Sequence, residues 1–599
     1  MDFFEQQDLS RRASRRLVWA YLLAVAFTLA SYGAAAAALY ALFALYSTGE
    51  ARAPWEVPAL AAAAAGACVL CVSAYRFWQF REGGHAVADL LGARLVDPQR
   101  CTAAERRLVN VVEEMAIASG VAVPPVYLMQ HEQAVNALVA GYSPNEAAIV
   151  VTRGALDKLS RDELQGVMGH EFSHLLNGDM ALNLRLAALL AGLTWIGEQG
   201  EALIFGAARM QRAQGADSTA ALPGLAGVAI AFIGFPGTLA ASALRAAVSR
   251  ERELLADAGS VQFTRNPDAI AGALDSILAL PAHTAILTAH AEGLSHMFFA
   301  TAVAHWYGFP THPPIAERIR RAHPRFQRDD YRATRHGRRR EVAVIDGSGQ
   351  VVKHVRSLEL LAAVGRPRAE HVDFGRRLLE RLPTRLREAL HSPEEAGQVL
   401  LALGGFRDAA GDLHVYVEAL AREHLLTLAE LAVPAMRSQP QAARDRFLAE
   451  FAARIEADGR VTRSEFVLLT YLRQRLRAGA GEPIPTRFRE IREVADDAHA
   501  VLSLISLASG DGAGKAFTEA GAVLKLGWTV PLGAQALTSG RVGAALERLR
   551  HLAPFAKPAL LKACVRAAAA DGQLNLAEAE LVRTVAATLD CPMPPILPA

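Results

Sequence analysis

Cysteine is scarce. Five residues (Cys68, Cys71, Cys101, Cys564 and Cys591) in a chain of 599 are too few and too scattered for a disulfide framework. Cys68 and Cys71 form a C-x-x-C, but they lie in an apolar run without companion histidines, which reads as packing inside a membrane helix rather than metal or redox work. Excess charge of one sign is also missing: a net charge of +2 marks no partner class, and no nucleic-acid partner is expected. Charge is absent altogether from Leu17 to Gly49 and again from Val57 to Tyr75. Each run matches or exceeds the ~20 residues with which a helix crosses a bilayer core. A composition that is 52% apolar agrees with membrane spans.

The first run is too long for the apolar part of a cleaved signal, usually ~7–15 residues, and a second span follows at once, so it reads as an uncleaved anchor. Arg11, Arg12, Arg15 and Arg16 precede the first span, and Arg76, Arg81 and Arg94 follow the second. The connection between them carries Arg52 as its only basic residue. Basic residues stay on the cytoplasmic side, so the bulk of the chain is expected to face the cytoplasm. Leu222 to Leu244 forms a third charge-free run. Leu186 to Ala208 would pair with it, interrupted by Glu198 and Glu201. Carboxylates are expensive at the bilayer centre, so this segment is either a span whose glutamates face protein or a shorter re-entrant element; a span is the reading taken.

Between the second and third apolar stretches the pattern is that of a folded α+β domain. Ala103 to Ser119 has helical spacing and Gly120 closes it. Val126 to Met129 reads as a strand. Ala134 to Ala140, the turn Gly141-Tyr142-Ser143-Pro144-Asn145 and Ala147 to Thr152 read as a hairpin. Then comes VMGHEFSHLLNGD, residues 167 to 179. Ser160 and Glu163 have capping-box spacing ahead of it and Asn177-Gly178 supplies a stop. His170 and His174 therefore fall one turn apart on one helix face. Two imidazoles so placed can converge on one tetrahedral zinc, whose nitrogen ligands lie about 2.0–2.1 Å away. Glu171, beside the first histidine, is angled to take a proton from a zinc-activated water and pass it to the leaving amine.

A catalytic zinc takes three protein ligands and keeps one open position. The stretch SRERELLAD, residues 249 to 257, offers Glu251 and Glu253. Glu253 is favoured because Asp257, four residues on, can hold a ligating histidine by its second nitrogen; Leu255 stands at that position for Glu251. Alone, this stretch would read as a charged helix leaving the membrane.

The segments NALVAGYSPNEAAIVVTRGALDKL, ELQGVMGHEFSHLLNGDM, SRERELLAD and THPPIAERI occur in this order over roughly residues 100 to 325. Together they resemble the HtpX-like and CAAX-prenyl-protease family of integral-membrane zinc metallopeptidases, of the gluzincin group. The resemblance implies a zincin fold with one Zn2+ per chain on His170, His174 and Glu253, Glu171 as general base, and Asp257 as the partner of a ligating histidine. It also singles out His312, held by the prolines that follow it, as a donor to the oxyanion; the alternative is a solvent histidine at the start of a helix. Arg318 sits in a crowd of ten arginines between 318 and 340, which reads rather as a cytoplasm-facing linker or a contact with anionic lipid. Asn136 matches a family position able to bind substrate backbone. The strand around Val150 is expected to form the edge beside the motif helix, where an extended peptide pairs. The polar third apolar segment departs from the family pattern and leaves the span count open.

Asp346-Gly347-Ser348-Gly349 reads as a turn, and from about Val372 the chain is alanine- and leucine-rich with helical periodicity. Two pieces repeat D-G-x-φ-x-x-x-E, at Asp458 to Glu465 and Asp571 to Glu578. A calcium loop would need oxygen ligands where Arg454, Ala567 and Ala569 stand, so these are expected to be helix–turn–helix junctions. They resemble TerB-type helical modules, which implies partner binding.

The expected fold is mainly α with a small β-sheet: a multi-pass membrane zincin followed by an all-helical domain. Its parts are a two-span anchor (1–80), the first zincin part with the motif helix (81–185), a membrane hairpin (186–248), the second zincin part (249–328), a basic linker (329–371) and a TerB-like domain (372–599). The expected function is zinc-dependent endopeptidase action on membrane or misfolded proteins at the cytoplasmic face of the bacterial inner membrane. Its partners would be protein substrates, lipid and a protein bound by the helical domain. The rival reading is an inactive membrane scaffold.

Overall fold

The computed structural model describes residues 3–48, 53–144, 146–214, 221–279, 286, 288, 291, 293–301, 312–334, 364–420, 424–457, 461–477, 484–508, 512–570 and 576–595. The expected turn at 346–349 and the two Asp-Gly pairs lie outside them. The chain is mainly helical, with one small mixed sheet. Among the described residues, four helices hold stretches long and apolar enough to cross a membrane: Trp19–Ser47, Glu56–Glu82, Asp179–Ala208 and Pro223–Thr264. They belong to α1 (Phe3–Thr48), α2 (Glu56–Gln79), α7 (Asp179–Gln214) and α8 (Ala221–Thr264), the intervening short elements being introduced below. Helices α7 and α8 form a tight hairpin. Gly197 faces Gly234, and a Cβ on Gly200 would run into the Ala231 backbone, the close approach that small residues permit between helices in lipid. The doubtful third segment is one unbroken helix, and Glu198 accepts a 2.6 Å hydrogen bond from the Thr194 hydroxyl.

After α2 come α3 (Gly84–Leu90), β1 (Arg94–Leu95), α4 (Ala103–Ser119), β2 (Val126–Met129), β3 (Ala137–Ala140), β4 (Ala148–Thr152), α5 (Arg153–Lys158) and α6 (Arg161–Asn177). The sheet order is β1-β2-β4-β3, with β2 and β4 parallel and the other pairs antiparallel. Ala137 lies opposite Val151, so the expected hairpin is present. Its strands are buried on both faces, which explains near-continuous apolar runs rather than strict alternation. The expected capping box of Ser160 with Glu163 is present on α6, and α4 carries a second one, Thr102 with Glu105, that the sequence reading did not single out. Gly178, at φ 74°, ends α6 in the left-handed conformation.

Beyond α8, helix α9 (Pro267–Leu278) crosses α6, and α10 (Ile315–Ala322) and α11 (Arg328–Thr334) follow. Gly166 makes the α6–α9 crossing possible, since a Cβ there would stand 2.7 Å from backbone atoms of Ala269 and Ile270. Residues at the head of the expected basic linker are helical, and Arg332 pairs with Asp275 at 2.7 Å. Helices α12 (Ala369–Arg381) and α13 (Thr384–His391) open a C-terminal all-helical region that extends to Leu576–Thr588 and builds its own core.

Candidate metal centre

Helix α6 brings its two histidines inward. His170 and His174 are both buried, with their Nε2 atoms 3.1 Å apart. Helix α8 leaves the membrane hairpin and presents Glu253 to them: Oε2 lies 3.7 Å from His170 Nε2 and Oε1 3.5 Å from His174 Nε2. Glu253 is 3% exposed, whereas Glu251 is an exposed residue, so the glutamate that faces the two histidines, and could serve as a third donor, is the one with Asp257 one turn further on. Donors at 2.0–2.1 Å around a tetrahedral ion stand about 3.4 Å from one another. The three observed separations bracket that figure.

The second nitrogens explain why the first ones converge. His170 Nδ1 lies 2.9 Å from Asp257 Oδ1, and His174 Nδ1 lies 3.1 Å from Asp179 Oδ2. Carboxylates only accept, so each Nδ1 carries the proton and each Nε2 turns its lone pair toward Glu253. Two lone pairs and a carboxylate facing one another in a buried space repel unless a cation stands between them. The surroundings of the two rings differ in their effect. Burial outweighs Asp257 and lowers His170 to about 4. Without such a cation a proton takes its place on His174: burial works against it, but hydrogen bonds to Asp179 and Glu253 raise the ring to about 10, and a metal binding there would displace that proton. Glu171 is 1% exposed, and burial raises its carboxyl to about 8. Neither of its oxygens has a well-formed hydrogen bond.

Arg318 is fully buried. Its Nε and one terminal nitrogen donate to the two Asp257 oxygens at 2.8 and 2.7 Å, and the other donates to the Phe299 carbonyl at 2.6 Å and stands 3.4 Å from Glu253 Oε2. Its guanidinium lies over the Phe299 ring at 4.8 Å, and that ring meets His170 edge-on at 4.9 Å. This corrects the reading of Arg318 as part of a linker or lipid-facing cluster. Position on α10, packed against α8 and α9, separates it from its solvated neighbours. Asp179 is a second residue that sequence reasoning passed over; its place in N-G-D directly after the helix stop was the available signal.

His312 is buried within the site. Its Nε2 donates to the Ser295 carbonyl at 3.2 Å and its Nδ1 lies 3.0 Å from Glu253 Oε2, so it is not a solvent cap. Two expectations need correction. Strand β4 is flanked by β2 and β3, so the Val150 backbone is paired on both sides. The free edge toward α6 belongs to β3, because the hairpin's second strand inserts beside β2. Asn136 does hold extended backbone, but its own chain's: its amide donates to Ala300 O at 3.0 Å and accepts from Ala300 N at 3.1 Å. Phe299 N–H donates to Ala137 O at 2.8 Å, which places residues 299–300 along the start of that edge.

A two-histidine helix with an adjacent glutamate, an acidic third donor on a membrane-derived helix, and carboxylates behind both rings define the class of integral-membrane metallopeptidases. Comparison with known proteins agrees. The profile of peptidase family M48 matches residues 102–325. The chain is 34% identical over 261 residues to a protease HtpX homolog of Caldanaerobacter subterraneus subsp. tengcongensis, covering 41% of this chain and 80% of that protein. It is 32% identical over 259 residues to the one of Streptococcus gordonii, covering 41% and 81%. With that of Dictyoglomus turgidum the identity is 37% over 216 residues, covering 36% and 67%. No solved structure matches the chain. The chain belongs to peptidase family M48, with HtpX-like relatives. It is a membrane metallopeptidase acting on protein or peptide substrates, in a family that is zinc-dependent in general.

Proposed function

We propose that this chain is a zinc endopeptidase of the bacterial cytoplasmic membrane, cleaving membrane or misfolded proteins at the cytoplasmic face in protein quality control. The observation that carries the reading is the meeting of His170, His174 and Glu253 around a space of tetrahedral size, with the buried carboxyl of Glu171 within reach of the charges of His174 and Glu253. Closeness of the site to the apolar stretches of α7 and α8 supports the substrate class. Asp179 starts α7, and Glu253 lies nine residues past Leu244, about 13 Å along the helix. The arginines flanking the first two spans support the cytoplasmic side.

His170, His174 and Glu253 would hold one zinc, which when bound supplies Lewis acidity toward the scissile carbonyl and the attacking water. The remaining work falls to the chain's own groups. Glu171 takes the proton of the attacking water and returns it to the leaving nitrogen. Asp257 and Asp179 keep the two imidazoles in the tautomer that frees Nε2. Arg318 fixes Asp257, and His312, anchored through Ser295, sets Nδ1 beside Glu253 Oε2, from where it would reach an oxyanion formed at the centre. The rest of the β3 edge, beyond Phe299, offers backbone pairing with little demand on side-chain identity.

The test is casein cleavage by detergent-purified wild type and Glu171→Gln, with zinc measured in both. The expected result is zinc in both proteins and a rate lower by roughly 10²–10⁴-fold in the variant. Cleavage that persists in Glu171→Gln, or wild-type protein that neither binds zinc nor cleaves, would overturn the reading in favour of a scaffold.

A further inference from the structure

Away from the metal, one line of buried polar contacts runs from the C-terminal helices through α4 into the motif helix. Helix α4 lies between α6 and α12 and packs on both. The two cores interleave there: Ile117 of α4 belongs to the C-terminal core, and Val372 of α12 to the peptidase core. Gly375 lets α12 ride close on α4, since a Cβ there would stand 3.0 Å from the Glu114 carbonyl oxygen and 3.3 Å from Ile117. The chain's tail closes the seam, with Gly365 N–H donating to Pro592 O at 2.8 Å and the Met593 carbonyl seated against Gly120.

Two adjacent carboxylates of α4 are buried in this seam, Glu113 at 2% and Glu114 at 3% exposure. Glu113 meets the C-terminal helices: His391 Nε2 at 2.5 Å and an Arg387 nitrogen at 3.8 Å. Glu114 is shared. Both of its oxygens accept from Arg161, the first residue of α6, at 2.6 and 2.7 Å, and Gln165 approaches at 3.4 Å. From the other side Arg376 of α12 stands 3.8 Å away. Gln165 lies just over one turn before His170. The carboxylate that fixes the first turns of the motif helix thus also faces a cation of the C-terminal domain, across a charge–charge contact rather than a hydrogen bond.

We infer that Glu114 is a positioning residue through which the C-terminal helical domain sets the motif helix, so that this domain sustains peptidase activity in the same chain. A buried carboxylate that loses a partner drives its neighbours to rearrange. Here the neighbour is Arg161, and through it the helix that carries His170, Glu171 and His174. The inference rests on the peptidase reading above and adds a dependence on the domain that a substrate-recruiting module would not produce.

The test uses the full chain in detergent. His391→Glu sets a carboxylate against Glu113, Glu113→Lys added to it restores opposite charges, and Arg376→Gln removes only the C-terminal hold on Glu114. The substrates are β-casein and a short quenched fluorogenic peptide spanning a bond that wild type cleaves in it. The readouts are kcat and KM on the peptide, zinc content, and amide exchange of residues 161–170. Both single variants are expected to lose about five-fold or more of peptide kcat, with KM and zinc unchanged and faster exchange in α6. The charge-swapped double variant is expected to recover both. Peptide kcat and α6 exchange at wild-type level in both single variants would overturn the inference, as would a defect confined to the KM for casein. If wild type cleaves nothing, the peptidase reading fails, and α6 exchange with its rescue by the double variant decides the coupling alone.

Discussion

Removing one member of the Asp257–Arg318 pair is expected to damage both the fold and the metal centre, for separable reasons. Arg318 is fully buried and makes two hydrogen bonds to Asp257, at 2.8 and 2.7 Å. Arg318→Met leaves Asp257 buried without its cation, and breaking a buried pair in this way costs roughly 3–5 kcal/mol. Asp257→Asn presents a different fault. If its amide oxygen keeps the 2.9 Å contact to His170 Nδ1, its NH2 must face the Arg318 donors. Loss of such a carboxylate behind a ligating histidine weakens metal binding by about 10–100-fold, equivalent to roughly 1.4–2.7 kcal/mol. The double variant Asp257→Leu/Arg318→Met removes both charges together. It is expected to melt above either single variant while binding zinc no more tightly than Asp257→Asn. Zinc affinity is read by competition with a chromophoric chelator, stability by circular dichroism in the same detergent. The reasoning is refuted if Asp257→Asn keeps wild-type zinc affinity, or if the two losses in stability simply add in the double variant.

Three further outcomes are expected. Gly166→Ala forces a methyl against the α9 backbone; such overpacking costs about 1–3 kcal/mol and should lower the melting temperature, and an unchanged melt would refute the close crossing. Burial raises the Glu580 carboxyl from 4.5 to about 7. A carboxyl held above its unfolded value stabilises fully below about pH 4.5, and that contribution is lost as pH rises through 7. Glu580→Gln should therefore stabilise the helical region at pH 8 by up to about 3 kcal/mol and give nothing at pH 4, which melts at the two pH values decide. Treatment with a strong chelator should abolish casein cleavage and added zinc should restore it; cleavage that survives chelation argues against metal dependence.

Local signals were legible in the sequence because local physics produces them. The capping pair Ser160–Glu163, the Gly120 and Gly178 stops and the one-turn spacing of His170 and His174 all follow from hydrogen bonding within a few residues. The choice of Glu253 over Glu251 was legible for the same reason, since Asp257 lies one turn away on the same helix. What stayed hidden depends on contacts far apart in the chain. Arg318 differs from its neighbouring arginines only through the packing of α10 against α8 and α9. The identity of the sheet edge rests on β4 pairing with β2, across the whole hairpin. Asn136 finds its partner at Ala300, 164 residues on. The docking of α12 on α4 leaves no local trace beyond Gly375, because the partners of the buried Glu113 and Glu114, among them His391, Arg376 and Arg161, lie far from them in the chain.

The central claim is that a metal is held by two histidines of one helix and the buried glutamate of another. The most direct measurement is zinc content per chain, with X-ray absorption at the zinc edge, for wild type, Glu253→Ala and Glu251→Ala. One zinc is expected in wild type and in Glu251→Ala, coordinated by nitrogen and oxygen at about 2.0–2.2 Å, and little or none in Glu253→Ala. Zinc that stays in Glu253→Ala, or that leaves in Glu251→Ala, would contradict it.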